Sequence, residues 1–105
     1  MTYEPSGLAT EAADKISRLA EDLTSGRGAF NEPKNAARVY KALQQIADHM
    51  PLILSRATST LQETTRDPDH ADKAVQSAGV AIIHATTVAT RLKEAQEAAE
   101  KARRR

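Results

Sequence analysis

The sequence predicts an all-α fold, an antiparallel helical bundle built from a short helix and a long helical hairpin. Three observations predict it. Residues 33–66 carry Ala36, Val39, Leu43, Ile46, Met50, Ile53, Ala57 and Thr60 at alternating spacings of three and four. Residues 67–105 carry a second, smaller-residue stripe of the same period, and the only connection between the two is the tight Arg66-Asp67-Pro68-Asp69 segment. Finally, Ala9, Ala12, Ile16, Leu19 and Leu23 form a shorter stripe of the same kind, with Gly26 just past its last apolar residue.

Composition narrows the class. A chain of 105 residues is one domain by default, small enough that a second copy helps it bury sufficient apolar surface. Phe30, Tyr3 and Tyr40 are the only aromatic residues, so any core is made of Ala, Leu, Ile and Val. A net charge of +1 gives no field pointing to nucleic acid or to an anionic membrane. With no cysteine there is no disulfide framework, no zinc knuckle and no thiol nucleophile. No apolar run approaches the roughly 20 residues that cross a bilayer. The expectation is a cytoplasmic protein with no membrane partner and no cofactor. An Ala- and Arg-rich chain suits a high-GC bacterium.

Met1 to Pro5 reads as a loose arm. The first helix is predicted over 6–25, with Ser6 as N-cap and Gly26 as the stop. Its face is Ala9, Ala12, Ile16, Leu19 and Leu23, flanked by Ala13 and Ala20. Residues 26–32 form the one real loop. Its Gly26-Arg27-Gly28 resembles a phosphate loop only weakly, since no strand precedes it and no Lys-Ser/Thr follows. A connector whose Phe30 plugs the bundle end is the simpler reading.

The second helix spans 33–66, with Pro33 in its first turn, where a missing N–H costs nothing. Tyr40, Ala47, Leu54 and Leu61 widen its stripe on one side. Pro51 lies inside it but off that stripe. The phase carries across the proline, which favours a kink facing solvent over a break. A break would instead fold Leu52 to Leu61 back into a closed four-helix monomer. The third helix spans 67–105. Asp67 caps it, Pro68 opens it, and Asp69 and Asp72 suit the positive helix end. Capping accounts for these aspartates without a metal. The helix face is Ala71, Ala74, Val75, Ala78, Ala81, Ile82, Ala85, Val88, Ala89, Leu92, Ala95 and Ala99.

The first helix is half as long as its neighbours. Folded back on the start of the second helix and the end of the third, it leaves the hairpin tip uncovered. That tip holds Met50, Leu52, Ile53, Leu54, Leu61, Val75, Val80 and Ile83, a candidate interface for a second copy or another protein. His49 and His84 fall at one level of the antiparallel hairpin, a candidate pH-sensitive or metal-capturing pair. Lys101, Arg103, Arg104 and Arg105 form a basic tail that offers a few phosphate contacts. No serine or threonine has a base and an orienting acid at motif spacing, so the chain is not read as an enzyme. In size such a hairpin is similar to the small secreted WXG100-type proteins. With no Trp in the chain, the Trp-x-Gly turn that defines that family is absent, and no motif assigns a family.

The sequence therefore predicts a non-enzymatic helical module that pairs with itself and with another protein, as an adaptor, chaperone or regulatory subunit. Two alternatives come from other classes. One is a nucleic-acid-associated accessory protein using the basic tail. The other is a ligand- or metal-sensing bundle using the histidines.

Overall fold

A computed structural model describes residues 3–102. They contain three helices, α1 (Ser6–Ser25), α2 (Pro33–Thr64) and α3 (Pro68–Lys101), and no strand among the described residues. The chain divides into two compact units, Met1–Asn31 and Glu32–Arg105. No described helix is long and apolar enough to cross a membrane.

In the first unit, α1 starts one position earlier than a Ser6 cap implies. Pro5 occupies the cap position, and Ser6 already has its backbone inside the helix. The Glu4 carboxylate takes over the capping role, accepting from the Ser6 N–H at 2.7 Å. That bond holds the Glu4 carboxyl below its ordinary pKa, because an ionised acceptor satisfies an N–H that the helix leaves orphaned. At the other end Gly26 adopts φ +80°, the left-handed geometry that costs an L-residue but not glycine. The Gly28 N–H then reaches back to the Asp22 carbonyl at 3.0 Å, and Arg27 pairs with the Asp22 carboxylate at 3.3 Å. The two glycines thus terminate a helix rather than cradle a ligand. Phe30, expected to plug the bundle end, is 46% exposed. α1 buries none of its residues, and Leu8, Ile16, Leu19 and Leu23 all remain exposed.

The second unit is a helical hairpin in which α2 packs on α3. α2 runs unbroken through Pro51, so the broken-helix alternative does not arise. The turn is fixed by α3's cap. Asp67 accepts the His70 N–H at 3.2 Å through one carboxylate oxygen and meets the His70 ring through the other. Pro68 occupies the first turn, where it displaces no hydrogen bond. Upstream, the Thr65 hydroxyl accepts the Asp67 N–H at 3.0 Å. Thr65 and Asp67, two of the three residues that join the helices, are therefore bound locally.

The seam between the helices follows a heptad rhythm on both sides. On α2 it runs Ala37, Tyr40, Gln44, Ala47, Pro51, Leu54, Thr58 and Leu61. On α3 it runs Ala71, Val75, Ala78, Ile82, Ala85, Ala89, Leu92, Gln96 and Ala99. All are buried or half-buried except Leu61, which is 37% exposed. Among the described residues the buried ones are alanines alone: Ala37, Ala47, Ala71, Ala85 and Ala89. Two helices enclose only atoms close to the line between their axes. A methyl group fits there, while a longer side chain reaches past the edge into water.

This seam corrects the reading of Pro51. The proline is half-buried on the seam, not on a solvent-facing kink. The α2 stripe expected to meet α3 is rotated away by one residue, about 100°. The physical reason is side-chain volume, since the closest approach of two helices admits small residues and leaves the larger ones of the stripe outside it. Pro51 lacks an N–H and leaves the Ala47 carbonyl without its usual donor. On α3, Thr86 and Ala89 line the same shallow groove as the ring.

Candidate functional site

The residue before each seam position defines a second surface. On α2 these residues are Ala36, Val39, Leu43, Ile46, Met50, Ile53, Ala57 and Thr60. On α3 they are His70, Ala74, Ser77, Ala81, His84, Val88, Arg91, Ala95 and Ala98, of which Ala74, Ala81, Val88 and Ala95 lie nearest the seam. The helices run in opposite directions and face each other, so stepping back one residue turns both rows to the same side of the hairpin. We call this side the front face. Its α2 row carries no charged residue, and its α3 row carries one, Arg91, with His70 and His84 beside the small residues. The α2 row is large, and the α3 residues nearest the seam are smaller.

The front face is not closed. Ile46 is 47% exposed, Met50 37%, Ile53 61% and Val88 47%. Toward the open end of the hairpin, Val39 and Leu43 are half-buried. Fully burying one such aliphatic side chain is worth about 1.5–3 kcal/mol relative to leaving it in water. A contiguous row of this kind usually marks an interface.

The residue after each seam position defines the back, and its chemistry is opposite. α2 places Arg38, Lys41, Gln45, Asp48, Ser55, Ser59 and Gln62 there. α3 places Asp72, Gln76, Gly79, Thr86, Thr90, Lys93 and Glu97. A shallow groove on this side is lined by Gln44, Asp48, Pro51, Thr86, Thr90 and Lys93. Gln44 donates to Asp48 at 3.3 Å, and Thr86 and Thr90 donate to the Ile82 and Thr86 carbonyls at 3.0 and 3.2 Å. The hydroxyls are engaged with their own helix rather than aimed into the groove. Only Leu52 and Ile83 interrupt the polar back.

The sequence-derived interface residues therefore divide three ways. Met50 and Ile53 lie on the front face. Leu54, Leu61 and Val75 belong to the seam. Leu52 and Ile83 lie on the back, and Val80 points outward between the two sides; these three are 54–66% exposed. The full front row was present in the periodicity as the strongest stripe of α2. What the sequence pattern alone did not reveal is that α3 leaves it uncovered.

His49 and His84 are both exposed. His84 directly precedes the seam residue Ala85 and belongs to the α3 row, while His49, two residues after Ala47, lies on the side of α2 turned away from α3. No group of three or more metal-ligating side chains occurs among the described residues. Lys101 is the exposed last residue of α3, and Arg103, Arg104 and Arg105 lie outside the described residues. Another shallow groove lies along α1, bounded by Asp14, Ser17, Arg18, Glu21, Asp22 and Arg27, with Arg27 paired to Asp22.

No family model matches the chain, nor does any curated protein or solved structure. The functional reading rests on geometry alone.

Proposed function

We propose that the protein is a non-enzymatic, self-associating helical interaction module, two hairpins packing front face to front face as a four-helix bundle. The single observation that carries this reading is the front face, an uncharged α2 row rich in large aliphatic residues beside Ala74, Ala81, Val88 and Ala95 of α3. A two-fold axis parallel to the hairpin sets α2 of one copy on α3 of the other. The large row then meets the small row, and facing helices are antiparallel, as four-helix bundles prefer. The face is self-complementary in that one orientation.

Its size supports the same reading. At 32 residues α2 is about 48 Å long at about 1.5 Å per residue. Two helices side by side are roughly 18 Å across. The face therefore offers roughly 800 Å² per partner, the area a standard specific interface takes from each side. A second copy also encloses the half-buried seam residues that two helices alone leave wet. The apolar side of α1 is a further surface on which another protein can dock, consistent with an adaptor or regulatory role.

Light scattering on a sizing column across a concentration series tests the proposal. The expected result is a dimer of twice 11.4 kDa for the wild type and a monomer for Ile53→Glu, with unchanged helix content. A wild-type monomer throughout the series overturns it.

A further inference from the structure

Two histidines flank the front face from different positions, His84 directly before the seam residue Ala85 and His49 two residues after the seam residue Ala47. His49 lies one helical turn after Ile46 and one before Ile53. His84 lies one turn after Ala81 and one before Val88. The back groove, where Gln44 and Asp48 stand beside Thr90 and Lys93, fixes how α2 and α3 are aligned. With the groove at the open end, where Pro33 and Lys34 stand beside Ala99 and Glu100, it sets His49 and His84 within about one helical turn of each other in level.

Within one hairpin they stand on different helices, with His49 turned away from α3. The two-fold packing described above changes that, because it lays α2 of one copy on α3 of the second. His49 of one copy then shares an edge of the interface with His84 of the second copy, and the symmetry repeats the pair on the other edge. We propose that self-association through the front face is gated by pH, with His49 and His84 as the sensing residues. This rests on the self-association reading and adds a regulation to it.

The charges along that edge favour such a gate. Arg56 follows His49 by two turns on α2, and Arg91 follows His84 by two turns on α3. Arg91 is bound to Glu94 at 3.1 Å. Asp48 is turned to the back, where Gln44 holds it. Glu63 and Lys73 lie further toward the turn, of opposite sign. In the dimer each edge thus places the two histidines between two arginines, with no carboxylate between them. Histidine changes charge between about pH 8 and pH 5 as a residue type, and carboxylates stay ionised through that range. Acidification therefore adds two positive charges to each already basic edge. Monomers hold these charges far apart; the dimer brings them together.

The test measures the dimer dissociation constant of the full chain by sedimentation at about pH 8 and about pH 5.5, where histidine titrates. Wild type and the double variant His49→Gln/His84→Gln are compared. The wild-type constant is expected to rise on the order of tenfold or more at the lower pH, and the double variant's to stay within about twofold. A wild-type constant that does not move overturns the gate, as does a double variant that keeps the full shift. Circular dichroism at both values accompanies the measurement, and loss of helix at the lower pH would also overturn it. No dimer at either pH would instead sink the self-association reading, and the gate with it.

Discussion

The seam and the front face of the hairpin share one heptad rhythm and differ by a single residue of phase, yet they use side chains of different size. The seam's buried positions are all alanine, while Ile46, Met50 and Ile53 remain exposed on the face. Hydrophobicity alone would have put the isoleucines inward. Close packing of two helices around a proline selects for small volume instead, and the larger side chains are left to a third or fourth helix. Between two helices, shape outranks hydrophobicity; the surplus apolar surface is what a partner can cover.

The comparison breaks most readily on the face. Ile53→Glu places a charge in the proposed interface and is expected to weaken self-association at least about 100-fold, about 2.7 kcal/mol at roughly 1.4 kcal/mol per tenfold. Ile83→Glu, at 66% exposure on the polar back, is expected to leave it unchanged. If both variants dissociate the dimer equally, the front face is not the distinguishing surface. Measured masses of the two variants at matched concentration decide it.

On the seam the sensitivity is to added volume. Ala85→Leu, at a site 5% exposed, is expected to cost about 1–3 kcal/mol of unfolding free energy through overpacking. Urea titration checks this. A neutral result would mean that the helices part easily and that the alanines do not set their spacing.

Pro51→Ala sharpens the same point. An interior proline costs about 3 kcal/mol relative to alanine, but here the ring also fills part of the seam. The net expectation is a gain of about 1–2 kcal/mol, read from the shift in urea midpoint. A loss of stability would show that the ring's packing outweighs the missing hydrogen bond.

The smallest effect belongs to the turn. The His70 ring, and then the His70 N–H, hold the Asp67 carboxyl below the ordinary aspartate value of 3.8. A pKa lowered by folding means that the ionised form favours the folded state. That contribution is complete above about pH 3.8 and is lost as pH falls through the lower folded value. Asp67→Asn keeps a capping oxygen but removes the ionisable group. It is expected to leave the neutral-pH melting temperature nearly unchanged and to flatten its decline below that value. An unchanged acid limb would mean the bond to His70 contributes nothing to folding.

Much of the architecture was legible before any coordinates. Helix boundaries at Ser6, Ser25 and Pro33, the glycine stop and the Asp67-Pro68 start follow from local chemistry, which acts within one turn of chain. The small-residue side of α3 was legible for the same reason, since periodicity depends only on helical geometry. The Ser6 cap was misplaced because Glu4, two residues upstream, offered a better acceptor.

The sequence by itself determined that this chain forms three helices, where two of them turn, and that α2 carries one strong apolar stripe. Only the tertiary structure decided which side of α2 meets α3. That choice depends on how closely two backbones approach around Pro51, a property of both helices together. It rotated the strongest stripe out of the seam and made it the surface left for a partner.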